Sequence, residues 1–426
     1  MNTGKTQPKT RHPGVLASRL LAGVAFAAGF GSPPVWAQTD GCNNNATQSD
    51  SGAPCFANVS DILQGQRRLL PVDDLVVTSQ PEGPGSAVSN VVLQTANSSV
   101  SAQLPYAITG SGVPSFATSA GRMFNLPRDV IVTMTEGLVN VRDQDPNGFI
   151  TKGFSLSGNP HGMATDDFNG DGFADIALLT ADAVGSTSGL LRIVTANDVN
   201  NLDAGLFASN GVGPFQFNFT NPISITTGDF NGDGKPEVAI AQPFSSGGAQ
   251  LLLQIYEIVT TQDGKIASQA LRQAASVVLN SPVSGQVIWS LKVVAGNFDG
   301  NVNATTGLPT DEIVLVVNNG DNLTLQSFRV QPQSTNPLNF DITLINTFVS
   351  PDSLYTNGNT AGDPLLATSG HLDWFNPAEQ VVAAYTYLTD STGNNFSWKA
   401  AVFTLDSQLN IAQAASIDTG GAVNLG

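Results

Sequence analysis

Apolar residues along this chain fall into short runs of four to eight, rich in Val, Ile, Leu, Phe and Thr. Clusters of Gly, Asn, Asp, Ser and Pro part them, and long helical periodicity is absent. Such a pattern predicts β-strands joined by turns. The runs recur in a fixed order. A strand leads into an acidic, Gly-rich loop and a second apolar strand, such as Asp175–Leu179, Glu237–Ala241 or Asp311–Val316. A third strand follows, at Leu190–Val194, Leu251–Tyr256 and Leu323–Phe328, and a further β run leads on, as at Phe215–Phe219.

The order is an internal repeat. Residues 159–172 align without a gap on residues 221–234, sharing Asp-Phe-Asn-Gly-Asp-Gly at 167–172 and 229–234. A third copy begins at Asn297-Phe298-Asp299-Gly300, is interrupted by an insertion, and resumes at Asp311-Glu312. A fourth, degraded copy starts at His371-Leu372-Asp373 and runs to Gln380, and a weaker trace lies at Gly121-Arg122-Met123-Phe124. The loops are spaced by 62, 68 and 74 residues. Four-stranded units repeating at this scale predict propeller blades, since one blade cannot bury both of its faces alone.

The loops carry candidate metal chemistry. Asp167, Asn169, Asp171 and Asp175 occupy positions 1, 3, 5 and 9, with Gly172 at position 6 to permit a tight turn. The Phe173 carbonyl stands at position 7. Asp229, Asn231, Asp233, Lys235 (through its carbonyl) and Glu237 repeat the arrangement. An oxygen-only set of carboxylates, an amide and a main-chain carbonyl suits Ca²⁺. The alternative is an ion-free acidic turn, in which three close carboxylates repel one another. Position 12 is Leu178 or Ile240 rather than Glu, which argues against an EF-hand, and these two loops hold no His or Cys to select zinc. The third loop keeps Asn297, Asp299 and Glu312 as candidate ligands, whereas the fourth offers Asp373 as its main carboxylate beside His371 and Gln380.

Asp-Phe-Asn-Gly-Asp-Gly-x-x-Asp/Glu followed by an apolar strand resembles the FG-GAP (VCBS-like) repeat of integrin α-subunit propellers and many exported bacterial proteins. The resemblance covers roughly residues 116–426. It implies an all-β propeller of four-stranded blades, seven when complete, with Ca²⁺ between the first two strands of a blade. It also implies that Asp167, Asn169, Asp171, Asp175, Asp229, Asn231, Asp233 and Glu237 are metal ligands. Members serve adhesion, carbohydrate binding and, less often, catalysis, so the resemblance fixes no single activity.

The ends and the charge balance refine the picture. Lys5, Lys9, Arg11 and Arg19 precede an apolar run at Leu20–Ala28 and small residues at Val35-Trp36-Ala37, which reads as a bacterial-type signal peptide over residues 1–37. The run is too short to span a bilayer, and no later segment is apolar enough to do so. Residues 38–115 form a Ser/Asn/Thr-rich segment, with candidate strands at Leu75–Thr78 and Val91–Gln94, that reads either as part of a blade or as a separate arm, and in which Cys42 and Cys55 are expected to pair as a disulfide. Residues 116–426 carry the blades, and the last of them, 417–426, read as the approach to another loop, which implies either a longer chain or a last blade completed by the amino-terminal segment. Without the leader, 13 basic residues face 34 acidic ones. This balance argues against nucleic acid or anionic membranes as partners.

No reaction centre is legible. His161 and His371 are the only histidines after the leader, and neither lies near a nucleophile motif. Trp289, Trp374 and Trp398 are candidate sugar-stacking platforms, with ordinary packing as the alternative. The sequence therefore reads as a secreted or surface propeller that presents loops to a protein or carbohydrate ligand. The alternatives are an extracellular carbohydrate-active lyase or hydrolase using paired carboxylates, and a structural repeat of a larger surface protein.

Overall fold

In a computed structural model the chain is all-β. The described residues are 26 strands between Cys55 and Asn424 together with the stretches 121–123, 159–182, 223–244, 288, 290–334, 336, 339–354, 378–389 and 395–418. The leader, Cys42, Trp289, His371, Asp373, Trp374 and the Phe215–Phe219 run lie outside them.

Six antiparallel sheets follow one another along the chain. The first contains β1 (Cys55–Val59), β2 (Asp74–Ser79), β3 (Val88–Gln94), β4 (Ser101–Ala102) and β5 (Tyr106–Ile108). The second contains β6 (Ser115–Gly121), β7 (Val130–Thr135), β8 (Leu138–Arg142) and β9 (Thr151–Ser155). The third contains β10 (Asn159–Asp166), β11 (Asp175–Ala181), β12 (Gly189–Val194) and β13 (Leu206–Ala208). The fourth contains β14 (Ser224–Gly228), β15 (Glu237–Pro243), β16 (Gln250–Asp263) and β17 (Ile266–Asn280). The fifth contains β18 (Ser290–Gly296), β19 (Glu312–Asn318), β20 (Asn322–Pro332) and β21 (Phe340–Ser353). The sixth contains β22 (Leu365–Gly370), β23 (Gln380–Leu388), β24 (Asn395–Leu405), β25 (Ile411–Asp418) and β26 (Val423–Asn424).

In every sheet the strands pair in sequence order, and β5 and β26 fold back onto β3 and β24. The second to sixth sheets are propeller blades. Their first strands touch in series, β6 to β10 to β14 to β18 to β22. Strand β1 touches both β22 and β6, so the first sheet fills the remaining place in the circuit. Among the described residues the circuit therefore runs through five blades and the first sheet, with β1 in the interval between β22 and β6. Residues 423–424 pair with Asn395 and Phe396 of β24, within the sixth sheet.

The second strand of a blade lies between two neighbouring blades, and this sandwiching explains its composition. Strands β11, β15 and β19 are buried along their whole length. Because side chains alternate across a strand, one strand feeds two seams. Val238 and Ile240 face the third sheet, while Ala239 and Ala241 face the fifth. Ile313, Leu315 and Val317 face the fourth sheet, and Val314 and Val316 face the sixth. The core is thus a series of seams rather than one interior.

Main-chain bonds cross the same seams. Ala174 donates to the Arg122 carbonyl at 2.6 Å, Asp311 to Asp229 at 3.0 Å and Glu379 to Asn297 at 2.9 Å. Pro236 holds the equivalent place at the seam between the third and fourth sheets and has no N–H to give.

Candidate metal centre

The acidic loops join the first two strands of the third, fourth and fifth sheets. Their hairpins close on the pairs Asp166 with Asp175, Gly228 with Glu237, and Gly296 with Glu312. The acid at position 9 is therefore held at the mouth of its hairpin, next to the residue that precedes position 1. The aromatic at position 2 anchors each loop. Phe168, Phe230 and Phe298 are buried in the seams toward the fourth, fifth and sixth sheets respectively.

In the first loop Asp167 Oδ1 accepts the N–H groups of Gly170 at 2.8 Å and Asp171 at 3.0 Å, and its Oδ2 accepts that of Gly172 at 2.7 Å. Asn169 Oδ1 accepts from Asp171 at 2.8 Å, and Asp171 Oδ1 from Phe173 at 2.9 Å. Asp175 is fully buried at the start of β11.

The second loop repeats this frame. Asp229 Oδ1 accepts from Asp233 at 3.0 Å and Oδ2 from Gly234 at 2.8 Å, while Asn231 and Asp233 accept from residues two further on. Gly172 and Gly234, both at position 6, have φ values of 88° and 86°, a region in which a Cβ is strained. The Asn231 side-chain amide donates to Glu237 Oε1 at 2.8 Å and to Asp233 Oδ2 at 3.3 Å, so positions 3, 5 and 9 meet. Glu237 is 2 % exposed. Burial, then the charges of Asp229 and Asp233, push its carboxyl up to about 9 against the Phe230 N–H that lowers it. Burial likewise raises Asp229.

Among the described residues no three His, Cys, Asp or Glu side chains form a cation cage by themselves. In these two loops the donor set expected from the sequence also counts the position 3 amide oxygen and the position 7 carbonyl. Oxygen-only donors on positions 1, 3, 5 and 9, with the position 9 acid buried and the position 5 acid exposed, fit a hard divalent cation. A bound cation would reverse the pressure on Glu237 and hold it ionised.

The third loop is built differently. Glu312 Oε2 accepts the N–H groups of Phe298 at 3.0 Å and Asp299 at 3.3 Å, and burial pushes its carboxyl up to about 8. Asp299 forms an ion pair with Arg329 of β20, Nη2 to Oδ2 at 3.0 Å. Position 1 is Asn297, whose Nδ2 donates to the Asn301 carbonyl at 3.0 Å. In the fourth copy the described part is Gln380, which donates to the Ala378 carbonyl. Arg329 carried no signal in the sequence, lying 30 residues beyond Asp299.

Two carboxylates missed by the motif stand beside these loops. Asp166 ends β10, and its Oδ1 accepts the Asp167 N–H at 2.9 Å. Asp311 Oδ2 accepts the Asp229 N–H at 2.8 Å. Burial raises them to about 6 and about 7, and the charge of Asp166 adds to the rise at Asp311. His161 sits at a bulge of β10, 2 % exposed, with Nε2 3.4 Å from Asn159 Nδ2. Trp398 lies on β24, opposite Thr386.

No curated protein matches the chain. Two solved structures resemble it at 11% identity and a TM-score of 0.38: candidate 6-phosphogluconolactonases of Bacteroides fragilis and Bacteroides uniformis. Each match covers 82% of this chain, with 81% of the first relative and 82% of the second. A likeness this loose leaves the function to be argued from the site. Residues 221–252, spanning β14, the second loop, β15 and the start of β16, match the FG-GAP repeat family. The chain is thus a β-propeller of four-stranded blades, one of which, the fourth sheet, carries an FG-GAP repeat.

Proposed function

We propose that this chain is an exported propeller stiffened by calcium, whose rim binds a protein or carbohydrate partner. The observation that carries the reading is the shared frame of the first two loops. In both, the position 1 carboxylate gathers the N–H groups of positions 5 and 6, and the position 3 amide that of position 5. Asp167, Asn169, Asp171, the Phe173 carbonyl and Asp175 would hold one Ca²⁺. Asp229, Asn231, Asp233, the Lys235 carbonyl and Glu237 would hold the other. Calcium would supply the counter-charge that lets the buried acids stay ionised, and so fix each loop against its seam. At millimolar calcium and a Kd of ~10⁻⁵–10⁻⁴ M, each site adds about 1.4–2.7 kcal/mol.

Among the described residues no helix is long and apolar enough to cross a membrane. Export rests on the leader pattern of residues 1–37.

The test is thermal unfolding of the mature chain in calcium and in chelator, with bound metal counted, followed by glycan and protein ligand arrays. Two bound Ca²⁺ and a higher Tm are expected, with one ion lost in Asp171→Asn and one in Asp233→Asn. No bound calcium and no shift would overturn the reading.

A second reading, a carbohydrate-active enzyme, draws on Asp166 and Asp311, whose raised carboxyls suit proton transfer near neutral pH. Both already hold loop main chain, which favours a structural role. Glycan cleavage that disappears in Asp311→Asn, with folding intact, would reverse that preference.

A further inference from the structure

The third repeat departs from the other two in charge and in length, and both departures point the same way. The first two loops each place three carboxylates at ligand positions, whereas the third places only Asp299 and Glu312, with the neutral Asn297 at position 1. Asp299 is already neutralised. Its side chain is 1% exposed and pairs with the Arg329 guanidinium at 3.0 Å. The Asn301 main chain and side chain fill its oxygens further, at 2.8 and 2.6 Å.

The insertion that breaks the motif is itself folded. Val302 and Pro309 form a β-bridge, Asn303 donates to the Leu308 carbonyl at 2.7 Å, and Gly307 to the Asn303 carbonyl at 2.8 Å. This small hairpin lies on the second loop, across the seam. Asn303 Nδ2 donates to the Asn231 carbonyl at 2.7 Å and Thr306 Oγ1 to the Gly232 carbonyl at 2.5 Å. Asp311 holds both the N–H and the carbonyl of Asp229. The surfaces fit closely: a Cβ on Gly232 would stand 2.5 Å from Asn303 Cβ, and one on Gly234 3.1 Å from Leu308 Cδ1.

We propose that the third repeat has exchanged its own cation for Arg329, and that its insertion is a clasp that closes the cation loop of the second repeat. The proposal rests on the calcium reading of the Asp229–Glu237 loop. Fixing the main chain at 229, 231 and 232 from outside lowers the ordering cost of binding, so Asn303, Thr306 and Asp311 are positioning residues for that site.

Calorimetric titration of the mature chain with calcium tests it. Two ions are expected in the wild type and two in Glu312→Gln. In Asn303→Ala/Thr306→Val one site weakens about tenfold, as loss of two neutral hydrogen bonds gives, while the other keeps its affinity. Three ions in the wild type with one lost in Glu312→Gln, or unchanged affinities in the double variant, would overturn the proposal. A wild type that binds no calcium sinks the calcium reading instead. Hydrogen exchange then judges the clasp without metal: faster exchange of the 231–235 amides in the double variant upholds it, and unchanged exchange removes it.

Discussion

Asp311 and Asp229 exchange two hydrogen bonds across the seam between the fifth and fourth sheets. The Asp311 N–H donates to the Asp229 carbonyl at 3.0 Å, and the Asp311 carboxylate accepts the Asp229 N–H at 2.8 Å. One residue thus satisfies both main-chain groups of the first position of its neighbour's loop. Asp311→Ala removes the acceptor and leaves a half-buried N–H unmet, at about 1–3 kcal/mol. Asp311→Asn keeps an oxygen in place and sheds a buried charge, so it costs less. Urea unfolding of the two variants in chelator gives the order.

Gly232 stands where that seam is tightest. Its φ is 69°, and a Cβ there would lie 2.5 Å from Asn303 Cβ and 2.9 Å from Thr310 Cγ2. Gly232→Ala adds a strained conformation to a clash, so a loss of about 1–3 kcal/mol is expected. Gly300 has a similar φ of 71° but open space around it. Gly300→Ala therefore shows the conformational part of the cost alone, and the difference between their melting temperatures isolates the clash.

The loop aromatics should behave as core. Phe230 is 1% exposed among Ala239, Leu253, Ala295 and Ile313, residues of two blades. Phe230→Ala is expected to cost about 3–5 kcal/mol, and because the seam loosens, calcium affinity at the second loop falls with it. Phe244, 46% exposed, provides the control, with Phe244→Ala within about 0.5 kcal/mol of wild type by denaturant unfolding.

A charge network ties the fifth and sixth sheets. Asp352 accepts from Lys399 Nζ at 2.7 Å and from Tyr385 Oη at 2.7 Å, and Lys399 Nζ also lies 5.0 Å from the Tyr387 ring centroid. Burial raises the Asp352 carboxyl, but the hydrogen bonds from Lys399 and Tyr385 outweigh it and leave the group below its ordinary value. A carboxyl lowered by folding contributes stability above its unfolded pKa of about 3.9 and loses it as pH falls through the folded value. Asp352→Asn should therefore be less stable than wild type by about 1–3 kcal/mol at pH 7, a gap that closes below pH ~4. Equilibrium unfolding of both proteins across that range measures it.

Much of this was legible in local pattern. The runs at Asp175–Leu179 and Glu237–Ala241 became β11 and β15, and Leu75–Thr78 and Val91–Gln94 lie within β2 and β3. The loop motif placed Asp229, Asn231, Asp233 and Glu237 on one hairpin, because a turn of about ten residues brings its own residues together whatever surrounds it. For the circuit of six sheets the sequence offered an amino-terminal segment completing the last blade only as one of two alternatives, since that contact depends on β1 meeting β22, which begins at Leu365.

The sequence by itself determined the strand order within each blade, the acidic loops and the aromatic that follows each first ligand, since all depend on neighbours within a few residues. Tertiary structure alone decided who completes each loop. Arg329 reaches Asp299 from the third strand of the blade, and Asn303, Thr306 and Asp311 reach the second loop from the next blade. The physical reason is that counter-charge and hydrogen-bond partners act over a few ångströms of space, and a closed ring of blades brings together residues that the chain keeps 30 to 82 positions apart.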